Sequence, residues 1–393
     1  MRGLRGVLLA TVLAASLAAC AAIPRVAVSE ADAKIADPIG FKTVRVWSDA
    51  PRGALLKSFS QDRPSPYQTS VKRTYLALSG GSDDGAFGAG FLKGWSATGQ
   101  RPRFDIVSGV STGALIAPFA FLGEQYDSEL QRVYTTLGQA DVAVSNGLAV
   151  LLSTSLYDTG PLRRIIDQYV TLDFLEKIAE EHAKGRLLIV VTTNLDTQRG
   201  VVWDMGAIAS RRNVEALRLF KSVLIASASI PGVFPPVMID VQAGDKRFTE
   251  MHVDGGATAQ VMTVPETLLT STVTRRFMRD GTLDIYVLVN GRLNPEFKVV
   301  PKSLLDISER SFSTLLKSHT RSSMQNIYSF ARANGFSFRW SDIGTDFSTV
   351  SSEPFDQAYM RALFDYGFAK ARSRAPWNGR SFETGQSHSD RTQ

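Results

Sequence analysis

The sequence predicts an α/β fold, a three-layer sandwich with helices on both faces of a mostly parallel central sheet. Three observations lead there. Short apolar runs alternate with segments of helical length. The run at 187–192 is continuously apolar and β-branched, as a strand covered on both faces must be. Glycine pairs and Pro-Gly steps close the elements where a turn is due.

Taken in order, 74–79 reads as a buried strand stopping at Gly80-Gly81, and a small-residue helix follows over 85–97. A second strand covers 104–108 and runs into a helix over 112–122. After the strand at 187–192, a helix over 214–229 is ended by Ile230-Pro231-Gly232, because Pro cannot continue it. A further strand spans 284–290, and helices are expected over 303–334 and 356–372.

The ends carry a different pattern. Arg2 and Arg5 precede an apolar stretch over 7–19 that leads through small residues to Cys20, the one cysteine of the chain. A charged start, a short apolar core and a small-residue exit mark a secretory signal peptide. The stretch falls short of the roughly 20 apolar residues of a spanning helix. Leu17-Ala18-Ala19-Cys20 also resembles a bacterial lipobox, in which cleavage leaves Cys20 as a lipid-carrying N-terminus. The expected organisation is a signal peptide at 1–19, an anchor-proximal spacer at 20–72, one large domain at 73–375 and a disordered polar tail at 376–393. The net charge of +6 over 393 residues is mild and has no long Lys/Arg run, which argues against nucleic acid as a partner.

Gly109-Val110-Ser111-Thr112-Gly113, between a strand and a helix, has the form of a nucleophile elbow. The tight turn lifts the Ser hydroxyl out of the sheet, and the helix behind it brings a positive dipole end. The Gly-rich turn at 78–87 presents backbone N–H groups with no Cβ in the way. It suits an oxyanion hole better than a phosphate site, since it lacks the Lys-Ser/Thr of a P-loop and carries Asp83 and Asp84. A plain turn remains open for it. Asp254-Gly255-Gly256 ends another strand and is on its own an ordinary turn motif.

Together and in this order the three motifs resemble the patatin-like phospholipase family. The resemblance extends to Phe104-Asp105-Ile106-Val107-Ser108, to Tyr157-Asp158-Thr159-Gly160-Pro161-Leu162 and to the 192–197 and 227–236 segments. It implies a patatin-like fold and a Ser–Asp dyad, with Ser111 as nucleophile and Asp254 as base. Backbone N–H groups around Gly80, Gly81 and Ser82 would form the oxyanion hole. Gly109, Gly113, Gly255 and Gly256 are the motif glycines. Two departures stand out: Ser82 occupies the third Gly of the family's usual triple, and Asp84 a position that is often cationic.

Of the four histidines, His182, His319 and His388 lie in polar stretches, whereas His252 is two residues before Asp254 and is the alternative base. No spacing suggests a metal, and no cofactor is expected. The expected substrate is an acyl lipid, the expected membrane contact an N-terminal lipid anchor. Ala21 in place of Asp leans the location to the periplasmic face of the outer membrane. The reading from another class is a non-catalytic lipoprotein that keeps the fold to bind lipid or an envelope partner.

Overall fold

The computed structural model describes residues 25–51, 53–54, 72–142, 144–145, 155–262 and 283–379. Cys20, residues 1–19 expected as a signal peptide and residues 380–393 of the expected tail lie outside them.

Ten strands form one sheet. In chain order they are β1 (Asp37–Pro38), β2 (Arg45–Trp47), β3 (Arg73–Leu78), β4 (Ile106–Val110) and β5 (Leu187–Asn194), then β6 (Arg199–Asp204), β7 (Val237–Ala243), β8 (Lys246–Asp254), β9 (Leu283–Leu288) and β10 (Ser337–Ser341). The parallel core runs β10-β9-β3-β4-β5. Antiparallel strands extend it, with β6 and then β2 on one path and β8, β7 and β1 on the other. The mixed sheet is thus parallel where the crossover helices pack and antiparallel where hairpins extend it.

Helices cover both faces. The labelled helices are α1 (Gly85–Ala97), α2 (Thr112–Leu122), α3 (Asp127–Thr136), α4 (Gly160–Tyr169), α5 (Leu172–Ala183), α6 (Val214–Ser227), α7 (Leu304–Asn334) and α8 (Gln357–Ala371). Along β3, Leu76 and Leu78 point into the large core made with α1, α2, α6 and α8, while Tyr75 and Ala77 point to the smaller core under α7. That alternation is the period-2 pattern of a strand with two buried faces. Phe87, Phe91 and Trp203 are among the fully buried side chains, each contributing on the order of 2–3 kcal/mol of burial.

Two expected boundaries differ. The segment expected as a spacer adds β1 and β2 to the sheet, with Phe41 and Val44 buried in the main core. Its apolar residues are few and separated by polar ones, which hid the strands. Within the span expected as a tail, residues 376–379 are packed on the domain. Trp377 packs at 4.8 Å from both Phe91 and Trp95, and Asn378 exchanges two backbone hydrogen bonds with Trp340.

Candidate active site

The elbow forms where β4 ends. Val110 is paired with Val191 of β5, so the next residue, Ser111, emerges level with Thr192. There β5 outruns β4 by three residues, and β8 pairs with that overhang, with Asp254 opposite Thr192. Two strands that approach β5 from different parts of the chain therefore deliver Ser111 and Asp254 to the same level.

Ser111 has φ 55° and ψ −126°, a conformation that L residues adopt only when their surroundings impose it. The surroundings are explicit. A Cβ on Gly113 would lie 2.4 Å from the Leu78 carbonyl, and one on Gly109 would lie 2.2 Å from the Gly113 carbonyl, so only glycine fits on either side of the serine. The Ser111 N–H donates to Ser227 Oγ at 3.1 Å, and that hydroxyl donates to the Val191 carbonyl at 2.7 Å.

Asp254 is buried. Its Oδ1 accepts the Gly256 N–H at 2.7 Å, while Oδ2 has no hydrogen-bond partner among the described residues. Burial pushes the carboxyl up to about 7, against the smaller opposing effects of the Ser111 hydroxyl and the Gly256 N–H. The Ser111 hydroxyl is close enough to oppose that rise although it forms no hydrogen bond to Oδ2, an arrangement that can tighten when substrate closes the cleft.

The Gly-rich turn faces this pair. Gly80 does not offer its N–H: it donates to the Gln260 carbonyl at 3.1 Å. Of the three residues expected to form an oxyanion hole, Gly81 and Ser82 are the two whose N–H groups have no acceptor among the described residues. The turn is clamped by Asn290, whose Nδ2 donates to the Ser79 carbonyl at 2.8 Å and whose Oδ1 accepts the Gly88 N–H at 3.1 Å. Ser82 has φ 53°, so a side chain does occupy a left-handed position that favours glycine. Asp84 points inward, accepts a hydrogen bond from the Tyr359 hydroxyl and is pushed up to about 7 by burial and by Asp83. The anion expected beside the site is therefore partly neutral at pH 7. Gly255 accepts the Thr258 N–H at 3.0 Å and starts the turn that carries Gln260 back to the loop.

His252 is not at the pair. Its Nδ1 lies 3.0 Å from Thr192 Oγ1 and its Nε2 lies 3.0 Å from Glu250. The Thr192 oxygen accepts the Trp203 indole N–H at 2.8 Å, so its own proton goes to Nδ1 and the ring carries its proton on Nε2. Burial lowers the His252 pKa, with Glu250 opposing. Burial would raise Glu250, but hydrogen bonds from His252 and Arg45 outweigh it and bring the carboxyl to about 2. Both ring nitrogens are occupied in a structural network, which removes His252 as the alternative base.

A cleft of about 350 Å³ opens over Ser111 and Asp254. Gly81, Gln260, Asn290 and Arg292 line one side, and Phe312, Leu316 and Thr320 of α7 the other. Gln260, Asn290 and Arg292 escaped the sequence reading, since a polar residue after a strand is an ordinary turn signal. Beneath Thr112 lies a second, almost wholly apolar cavity of about 90 Å³ lined by Leu115, Phe119, Leu130, Val133 and Leu224. Ser82 borders both spaces. Phe234 and Val237 are buried and line neither.

Among solved structures the chain is similar to VipD from Legionella pneumophila, at 12% identity and a TM-score of 0.33, over 77% of this chain and 66% of that one. It is also similar to the type III effector ExoU, at 13% identity and a TM-score of 0.27, over 79% and 53%. A third similarity is to full-length ExoU with SpcU from Pseudomonas aeruginosa, at 15% identity and a TM-score of 0.27, over 69% and 53%. The chain thus spans just under two thirds of the VipD chain and about half of the ExoU chains. No curated protein matches it. The family described as Patatin-like phospholipase matches residues 76–265, a span that holds the Gly-rich turn, the Ser111 elbow and Asp254. Residues 76–265 are a patatin-like phospholipase domain.

Proposed function

We propose that the chain hydrolyses carboxylic esters of lipids, phospholipid or lysophospholipid foremost, through Ser111 and Asp254. The observation that carries this reading is their delivery to one level of β5, at the floor of a cleft walled by the free N–H groups of Gly81 and Ser82.

Ser111 Oγ attacks the ester carbonyl carbon, and its proton passes to Asp254 Oδ2. The carbonyl electrons move onto oxygen, where the Gly81 and Ser82 N–H groups receive the charge. When the carbonyl reforms, the alcohol leaves with the proton from Asp254 and the acyl group stays on Ser111. Water then gives a proton to Asp254 and attacks the acyl carbon, releasing the fatty acid and restoring the serine. A carboxylate raised to about 7 is a far better base than an ordinary aspartate, which addresses the weakness of a dyad without histidine. The apolar cavity beneath Thr112 suits an acyl chain, which favours a lipid over a short polar ester. The chain is held at the membrane by lipid on Cys20, on the periplasmic face of the outer membrane.

The test is hydrolysis of a medium-chain nitrophenyl ester and of mixed phospholipid vesicles by the wild type, Ser111→Ala and Asp254→Asn, with folding followed by circular dichroism. Both variants should lose at least about 1,000-fold in turnover, the scale seen when an acting nucleophile or base is removed. Activity surviving in Asp254→Asn would remove Asp254 from the reaction. A wild type that binds vesicles but cleaves nothing would replace the hydrolase by a lipid-binding protein.

A further inference from the structure

Helix α7 has 31 residues, about 46 Å, whereas the strands it crosses span about 20 Å. Its second half lies on the sheet, with Met324, Ile327 and Ala331 in the core under β9. Its last residue leads through Gly335 into β10, so this half sits toward the amino ends of the parallel strands. The first half therefore runs past their carboxyl ends, where Phe312, Leu316 and Thr320 wall the cleft.

That overhanging half carries a second stripe. Leu304, Ile307 and Leu315 recur at helical spacing and are 81%, 49% and 68% exposed. The preceding loop is held alongside, since Lys317 donates to the Asn294 carbonyl at 3.1 Å and Arg310 donates to the Glu296 carbonyl. From that clasp the chain returns to the start of α7 and presents Phe297 at 96% and Val299 at 78% exposure. Exposed phenylalanine, valine, leucine and isoleucine gathered on one half-helix and the loop clasped to it make an apolar rim, which a soluble surface avoids. Lys298 and Lys302 stand exposed among these residues, while the neighbouring Glu296 is neutralised by Arg292 and Lys317. Apolar tips edged by cations without an acidic partner among the described residues complement an anionic lipid surface.

The start of the described chain points to the same end. Arg25 pairs with Asp196, and the Val26 carbonyl accepts the Thr249 N–H at 2.9 Å. Asp196 follows the carboxyl end of β5, which is parallel to β4 and so shares its end of the sheet with Ser111. Four residues lie between Cys20 and Arg25, and the five Cα steps reach at most about 18 Å.

We propose that Phe297, Val299, Leu304, Ile307 and Leu315, with Lys298 and Lys302, form the surface by which the protein seats on an anionic bilayer, cleft mouth toward the lipid. The orientation rests on the hydrolase reading for its purpose. A lipid on Cys20 and the rim would then act on one plane, and a lipid leaving the bilayer would enter beside Phe312 without crossing water.

The test uses the full chain with Cys20→Ser, which removes its one native thiol. An environment-sensitive fluorophore is placed on Phe297→Cys or, for comparison, on Val214→Cys. Val214 is 55% exposed at the far end of α6, about 20 Å of helix from Ser227 and the elbow. With phosphatidylcholine–phosphatidylglycerol vesicles, the probe at Phe297→Cys should shift to the blue and be quenched at least about threefold more by brominated acyl chains than the probe at Val214→Cys. Salt and removal of phosphatidylglycerol should weaken both effects. Equal responses at the two positions, or none, would overturn the proposal. A blue shift that grows with protein concentration without vesicles would assign the face to a second copy instead. Insertion at Phe297→Cys in a chain that hydrolyses no ester leaves this surface standing and ends the hydrolase reading; soluble-ester hydrolysis without insertion does the reverse.

Discussion

The hydroxyl of Ser227 accepts the N–H of Ser111 while donating to the Val191 carbonyl, so the last turn of α6 holds the elbow against β5. Ser227→Ala would leave a buried N–H and a buried carbonyl unpartnered. We expect a loss of about 1–3 kcal/mol in urea unfolding. The elbow would also loosen, and kcat for a soluble ester should fall about tenfold with KM little changed.

Asp254 must be ionised to accept a proton, and its carboxyl lies at about 7. Activity on a soluble ester should therefore rise with pH, by about tenfold between pH 6 and 8 for a single group titrating there. A profile that is flat from pH 5 to 9 would show that some other group controls the reaction.

Burial raises the Asp84 carboxyl to about 7 from its ordinary 3.8. The folded state therefore prefers the protonated acid. The stability this gives is complete below about 4 and is lost as pH rises through 7. Asp84→Asn keeps an acceptor for Tyr359 and removes the titration. Its melting temperature should fall less than that of the wild type between pH 5 and 9. Calorimetry at the two pH values checks this, with Asp254 contributing a share of the same sign in both proteins.

Glu250 behaves in the opposite way. It lies at about 2 when folded against 4.5, so its contribution is complete above 4.5 and is lost as pH falls through 2. Arg45→Met leaves this carboxylate buried without its guanidinium and should cost about 3–5 kcal/mol in denaturant unfolding. Arg45→Met with Glu250→Gln should recover a large part of that loss, because the uncompensated charge goes with the second change.

Cys20→Ser should move the protein from the membrane to the soluble fraction of cells washed at high salt, which weakens the lysine contacts of the rim. Retention in the membrane after that wash would end the lipid-anchor proposal.

Much of this was legible in the sequence where chemistry is local. Helices α1 and α2 begin and end at the expected residues, because small residues, the elbow and Gly123 mark them within a few positions. Ser111 and Asp254 stood out through their flanking glycines. The register that joins them did not, since it depends on β5 outrunning β4. Gly80 was expected as an oxyanion donor, and only the approach of Gln260, 180 residues on, reveals that its N–H is taken. The histidine network was hidden for the same reason: Arg45, which sets the charge of Glu250, lies in a stretch that looks like a linker.

Helix α7 divides its labour along its length: core on the sheet in its second half, cleft wall and open surface in its first. Residues 304–316 can thus change with little penalty to folding, while each change reshapes what the cleft admits. Diversification of this protein's substrates should accordingly collect in that half-helix, leaving the serine, the aspartate and the sheet beneath them as they are.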